Sequence, residues 1–236
     1  MGTSRVFQVT ACHATRHSPL VSPTLATPPA TRPAMPRLLI ATKNAHKTAE
    51  IRAILGEAWE VSDLTAHPEM PSPEETGVTF EENARIKAQA ASRVFAGIVL
   101  SDDSGLEVDA LGGDPGVQSA LYAGTNGDDA GNRARLKREL LLCGKGEPWT
   151  ARFRCVMAVA QAGRTVAVCD GRVEGRAIAE ERGGGGFGYD ALFIPDGHAG
   201  TFAQLASEVK NTLSHRARAL AKAAAVLAEL SPGAVG

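Results

Sequence analysis

The sequence has no apolar run near the roughly 20 residues that a membrane span needs. It has almost no net charge either. Its 25 Lys and Arg stand against 26 Asp and Glu, leaving −1 over 236 residues. That balance supplies no field for nucleic acid or for an anionic membrane, so any positive charge that meets a polyanion must be gathered locally. Cysteine is scarce. Cys12, Cys143, Cys155 and Cys169 lie far apart and form no Cys-x-x-Cys pair. This argues against a zinc site and a compact disulfide framework, and points to a reducing compartment, read here as the cytoplasm. No Gly-x-x-x-x-Gly-Lys-Ser/Thr stretch occurs, which argues against a P-loop nucleotidase.

Acidic residues and lysine are missing altogether from Met1 to Pro36, which is rich in Thr, Pro, Ser and Ala. It has no steady apolar period and no compact apolar core of a secretory signal. Arg5, Arg16 and Arg32 give it a faint transit-peptide character. The expectation is a disordered extension over residues 1–36, or a start codon set too early, followed by one domain over residues 37–232. With 44% hydrophobic residues the chain can bury a sizeable core.

Leu38-Leu39-Ile40-Ala41 reads as a buried parallel strand. Thr42-Lys43-Asn44-Ala45-His46-Lys47 then forms a turn into a helix that runs through Ile51, Ile54 and Leu55 to Gly56. A helix N-terminus presents free N–H groups and a favourable dipole to an anion, and Lys43 and Lys47 add charge. The plain alternative is an ordinary capped helix with solvated lysines. Thr79 and Glu82 make a capping box for a helix to about Phe95 that carries Lys87, with Glu74 and Glu75 in the loop before it.

Gly97-Ile98-Val99-Leu100 reads as a short strand, and Ser101-Asp102-Asp103-Ser104-Gly105-Leu106 as the polar turn beyond its end. Ligands bind beyond the carboxyl ends of strands in open α/β sheets. Paired carboxylates there suit Mg²⁺ beside a phosphate; a plain βα turn is the alternative. Further on come a helix from about Asp128 to Leu142 and a hairpin over residues 152–160 and 165–170. An antiparallel pair among βα units predicts a mixed sheet.

Gly183-Gly184-Gly185-Gly186-Phe187-Gly188-Tyr189-Asp190 resists regular structure. A bare linker would not carry two aromatics, either of which can stack on a base. Thr201 with Gln204 predicts a short helix to about Val209, ended by Lys210-Asn211. Ser214 caps a last helix from His215 to about Leu230. His215 and Arg216 oppose the dipole in its first turn, so a ligand could explain them as well as plain solvation.

Taken in order, these segments resemble the inosine/xanthosine triphosphate pyrophosphatases that clear non-standard purine nucleotides. The resemblance rests on residues 42–47, Glu74-Glu75-Thr76-Gly77, Phe80-Glu81-Glu82-Asn83-Ala84, residues 101–106, Gly186 to Asp190, Lys210 and Ser214-His215-Arg216. Lys43 departs from the family's small or polar residue in a turn that works through its backbone. The resemblance implies a mixed α/β fold with an elongated central sheet flanked by helices, two lobes with a cleft between them, and a homodimer. It implies Mg²⁺-dependent hydrolysis of ITP, dITP or XTP to the monophosphate and pyrophosphate. Asp103 would be proton acceptor and metal ligand, and Glu74 a second metal ligand. Substrate would be bound by Thr42, Lys43, Asn44, Ala45, His46, Lys47, Ser104, Phe187, Gly188, Tyr189, Asp190 and Lys210, with His215 and Arg216 near the base.

Physical chemistry leaves one tension in that scheme. A metal-bound carboxylate is a weak base, so Asp103 could contact the metal through water, or orient a water whose pKa the metal lowers; Asp102 could serve either role. Two rivals share these residues: a phosphatase with an aspartyl nucleophile, which releases orthophosphate, and a nucleotide-binding module without catalysis. Neither reading needs nucleic acid or a membrane as partner.

Overall fold

The computed structural model describes residues 1–2 and 35–231, so the extension expected over residues 1–36 lies outside the described residues apart from its ends. Among the described residues the order is β1 (Arg37–Ile40), α1 (Ala45–Leu55), β2 (Glu60–Asp63), α2 (Phe80–Ser92), β3 (Ile98–Val108), α3 (Asp129–Leu142), β4 (Trp149–Gln161), β5 (Arg164–Ala177), β6 (Phe193–Pro195), α4 (Ser207–Leu213) and α5 (His215–Leu230). The strands form one six-stranded sheet in the order β2-β1-β3-β4-β5-β6. β1 runs parallel to β2 and β3. The pairs from β3 to β6 are antiparallel. The mixed α/β class is as expected.

Local chemistry sets the helix ends. Asn44 Oδ1 accepts the N–H groups of His46 and Lys47 and so caps α1. The Thr79–Glu82 capping box is complete at α2. Ser214 Oγ accepts the Ala217 N–H and caps α5. The β4–β5 hairpin turns on Ala162 and Gly163, both at positive φ (50° and 77°), the geometry that matches a two-residue turn to the strand twist.

Two expectations need correction. β3 does not stop at Leu100. It continues to Val108, so Ser101 to Leu106 lie inside a strand and not in a turn beyond one. The reason is β4, which pairs with β3 from Val99 to Val108 after β1 has ended. The helix expected from Thr201 is also absent. Gln204 Oε1 accepts the Thr201 N–H, but the Thr201 hydroxyl donates to the Arg182 carbonyl oxygen instead of capping a helix. α4 starts at Ser207, and Lys210 lies within it.

One core cluster joins Ile98 and Leu100 of β3, Cys155 and Met157 of β4, and Leu220 and Ala223 of α5. Another joins Phe80, Ala84 and Ala88 of α2 to Val156 and Ala158 of β4. Helices α5 and α2 thus cover opposite faces of the middle of the sheet. Gly171 on β5 lets α5 come close, since a Cβ there would stand 2.1 Å from the His215 carbonyl oxygen. That close approach brings the first turn of α5 over β3.

Candidate active site

Successive side chains on a strand leave opposite faces. Asp102 pairs across the ladder with Met157 and Asp103 with Val156. Asp102 therefore faces α5, and Asp103 faces α2. Each carboxylate meets a different set of cations.

Asp102 is fully buried and saturated. Its Oδ1 accepts from Lys47 Nζ at 2.7 Å and Ser104 Oγ at 2.8 Å. Its Oδ2 accepts from Arg216 Nε at 2.8 Å and the Cys155 thiol at 3.2 Å. Burial pushes this carboxyl up, but Arg216 and Lys47 outweigh it and hold the group well below the usual carboxylate range. Arg216 in turn donates to Glu50 Oε2 through Nη1 at 2.6 Å and to Ser104 Oγ through Nη2 at 3.0 Å. Glu50 Oε1 takes Lys210 at 2.8 Å, and Lys210 also reaches Asp190 Oδ2 at 2.5 Å. Opposite charges thus alternate from Lys47 through Asp102, Arg216, Glu50 and Lys210 to Asp190. Such a chain holds because each buried charge finds partners.

Asp103 is the exception. Its Oδ1 accepts from Lys87 Nζ at 2.6 Å, while its Oδ2 is buried with no hydrogen-bond partner. Burial dominates, and the carboxyl is pushed up to about 6 even though Lys87 and Lys47 pull it down. The Lys87 ammonium also holds Glu75 Oε2 at 2.9 Å. Lys47 and Lys87 both point at the Asp102 carbonyl oxygen, at 3.4 and 3.2 Å. Two ammonium groups therefore bracket the Asp102–Asp103 peptide.

A cavity of about 110 Å³ opens beside this cluster, with Lys47, Ser104, Phe187, Lys210, His215 and Arg216 in its wall. His215 is buried, lies flat on Phe153 with ring centroids 4.8 Å apart, and has an unpartnered Nδ1. Burial and the nearby Arg216 charge keep this imidazole neutral, well below its ordinary titration range. Phe187 sits under Lys210 and Arg216, whose charges lie 5.0 and 5.6 Å from its ring centre.

The residues picked from sequence divide into groups. Lys47, Ser104, Phe187, Gly188, Tyr189, Asp190, Lys210, His215 and Arg216 gather at the cavity with Asn44. Asp103 lies beside them through the lysine pair. Thr42, Lys43 and Ala45 stay on the α1 turn, where Thr42 Oγ1 accepts the Asn44 N–H, while the His46 ring reaches from that turn to stack on Phe187. Tyr189 is buried and its hydroxyl donates to the Ser119 carbonyl oxygen at 2.8 Å, so it braces the wall. Arg216 is not solvated at a helix start. Four of its five N–H donors are taken by Asp102, Glu50 and Ser104.

Glu50, Asp129 and Arg133 escaped sequence reading, as did Ser119, Asn126 and Phe153 in the cavity wall. Glu50 lies three positions after Lys47 on α1, a spacing that puts both on one helix face. Asp129 Oδ2 accepts the Gly188 N–H at 2.7 Å, and Arg133 Nη1 donates to the Gly188 carbonyl oxygen at 3.0 Å. Nothing local in Asp129 or Arg133 announces those contacts, which join residues 59 and 55 positions apart.

The donor set suits a hard cation. Asp103 offers a buried oxygen with no partner, and Glu75 faces it across Lys87. A single ammonium between two carboxylates marks a place that favours positive charge. Glu74 is exposed and makes no hydrogen bond or ion pair among the described residues. No three His, Cys, Asp or Glu side chains converge among the described residues. One or two carboxylates with waters and substrate phosphates are what Mg²⁺ ordinarily takes. The residues present fit that ion.

Residues 38–226 match a family model described as the Ham1 family. The chain is 50% identical over 192 residues to a dITP/XTP pyrophosphatase of Geobacillus kaustophilus, covering 80% of this chain and 92% of that protein. It is 46% identical over 194 residues to a dITP/XTP pyrophosphatase of Bacillus licheniformis, covering 82% and 98%. A solved structure of a HAM1 protein from Coxiella burnetii superposes with a TM-score of 0.73 at 38% identity, covering 83% of this chain and 100% of that one.

Proposed function

The chain belongs to the Ham1 family, and on that premise we propose that it hydrolyses the non-standard purine nucleoside triphosphates dITP, ITP and XTP to the monophosphate and pyrophosphate. Such a reaction keeps hypoxanthine and xanthine out of DNA and RNA. The observation that carries this reading is the pairing of a cavity holding a neutral imidazole and an aromatic ring with two ammonium groups beside an unpartnered carboxylate oxygen.

The base enters the cavity against Phe187, and the triphosphate tail runs to Lys47 and Lys87. Asp103 accepts the proton of the water that attacks the α-phosphorus. A carboxyl near 6 is ionised at neutral pH yet basic enough to take that proton. Pyrophosphate leaves as the electron pair of the cleaved P–O bond passes to its bridging oxygen, and the lysines offset the charge it gains. Asp102 does not serve as base, since saturation and its depressed pKa deny it the proton; it holds Arg216, Lys47 and Ser104 in place. Glu75 directly and Asp103 through an intervening water would hold Mg²⁺, which leaves the Asp103 carboxylate basic, with Glu74 next to Glu75 in the loop. When bound, the ion supplies charge neutralisation to the triphosphate.

Hypoxanthine and xanthine carry an oxygen at C6, whereas adenine carries an amino group. His215 Nδ1 in its protonated tautomer and the remaining Arg216 N–H are donors that match the oxygen and oppose the amino group. The same reading takes residues 37–232 as one catalytic domain, acting as a cytoplasmic homodimer. Incubation with dITP, ITP, XTP, GTP and ATP and Mg²⁺ tests it. Pyrophosphate from the first three supports it; orthophosphate alone, or binding without turnover, refutes it.

A further inference from the structure

We propose that His46 is a positioning residue whose imidazole, stacked on Phe187, fixes that ring for the incoming base and so couples the phosphate-binding turn to the base cavity. The proposal rests on the reading that the cavity takes a purine. The His46 and Phe187 rings lie 5.1 Å apart between centroids and 12° from parallel. This is an offset stack, within the range in which aromatic pairs attract beyond plain burial. The two residues come from opposite ends of the chain and from two different functional segments.

Phe187 needs such a partner. It stands between Gly186 and Gly188, both in the left-handed region at φ 70° and 59°. The backbone on either side is well held: Asp190 Oδ2 accepts the Phe187 N–H, and Asp129 and Arg133 hold the N–H and carbonyl of Gly188. Those bonds fix the chain and leave the ring's own torsions free. What bears on the ring is His46, together with the Lys210 and Arg216 charges. The two cations are locked in the buried network by Asp190, Glu50 and Asp102. The half-buried ring would otherwise wander, and a base would have to order it on binding.

His46 is itself fixed at its root. It lies in the first turn of α1, its N–H accepted by Asn44 Oδ1 at 2.9 Å, and the next residue is Lys47. A tail drawn to Lys47 therefore settles against the helix turn that also aims the ring. Loss of the imidazole should cost about three- to ten-fold in nucleotide affinity, the range of one aromatic pair, and leave the chemical step alone.

The test uses the full-length protein with Mg²⁺, as wild type and as His46→Ala, His46→Phe and His46→Lys. Inorganic tripolyphosphate, the same tail without a base, serves as competitive inhibitor. His46→Ala is expected to raise KM for dITP three- to ten-fold, with kcat within two-fold and the inhibition constant for tripolyphosphate unchanged. His46→Phe restores KM, and His46→Lys does not. A second readout needs no turnover: the His46 ring protons carry a ring-current shift in NMR spectra that Phe187→Leu abolishes. An unchanged KM in His46→Ala, a parallel rise in the tripolyphosphate constant, rescue by Lys alone, or no ring-current shift overturns the proposal. A wild type that releases no pyrophosphate from dITP sinks the parent reading, and this one with it.

Discussion

Asp102 and Asp103 are neighbours on one strand, yet one is held ionised by Arg216 and Lys47 while the other is pushed up to about 6 by burial. The pleat of β3 separates them. It sends Asp102 under α5, where the donors saturate it, and Asp103 toward α2, where one oxygen is left without a partner.

This difference predicts opposite mutational outcomes. Asp102→Asn leaves Arg216 with an uncompensated buried charge and should destabilise the fold by about 3–5 kcal/mol, the usual cost of breaking a buried pair. Asp103→Asn should leave stability within about 1 kcal/mol, since ionising a carboxyl whose pKa is raised opposes folding, and relief of that cost offsets the lost bond to Lys87. Urea denaturation of both variants at pH 7.5 measures the contrast. Equal losses would remove the distinction between them.

The pH dependence of stability follows with a definite sign. Asp103 binds its proton more tightly when folded, so its contribution falls as pH rises from 3.8 toward 6. Asp102 and Glu50 are depressed, for although burial pushes both up, Arg216 with Lys47 or Lys210 outweighs it. Their contributions are present above the ordinary carboxylate range and are lost as pH falls below it. Acid should therefore unfold the protein through Asp102 and Glu50. Asp102→Asn should flatten the acid limb of a stability–pH curve, while Asp103→Asn should not.

Catalysis should show the other side of Lys87. The ammonium lowers the Asp103 pKa, so Lys87→Met raises it and moves the acid limb of kcat/KM to higher pH. Burial lowers the Lys87 pKa, but Asp103 and Glu75 outweigh it, so Lys87 stays charged throughout the working range. A kcat/KM profile that keeps its acid limb in Lys87→Met would argue that another group titrates there.

Metal removal gives a separate check. Chelation with EDTA should abolish pyrophosphate release, and added Mg²⁺ should restore it. Glu75→Gln should raise the Mg²⁺ concentration needed for half-maximal rate at least ten-fold, and Glu74→Gln should change it less, because Glu75 faces Asp103 across Lys87 while Glu74 pairs with none of the described residues. The reverse order would return the ligand role to Glu74.

Much of the frame could be read from local chemistry. The Thr79–Glu82 box and Ser214 set helix starts through contacts within a few residues, and both are found as read. The glycine-aromatic loop and the His215–Arg216 pair stood out because they break local rules: glycine orders at high cost, and cations oppose a helix N-terminus. What could not be read depends on partners distant in sequence. Asp102 and Asp103 looked like turn residues because a strand interior seldom holds two carboxylates; lysines from α1 and α2 and an arginine from α5 make it tolerable. Glu50 gave only the weak signal of its spacing from Lys47, because its partners, Lys210 and Arg216, lie at the other end of the chain. Thr201 and Gln204 had the right spacing for a cap, but the Arg182 carbonyl competed for the hydroxyl.

The most direct test of the central claim is a single-turnover assay of dITP with Mg²⁺, scored for dIMP and pyrophosphate, with wild type and Asp103→Asn side by side. The account predicts dIMP and pyrophosphate in equal amounts from the wild type. It predicts a loss of about 10²- to 10⁴-fold in the chemical step for the variant, the usual worth of a positioned base. Orthophosphate as the product, or an unimpaired rate in Asp103→Asn, would contradict it.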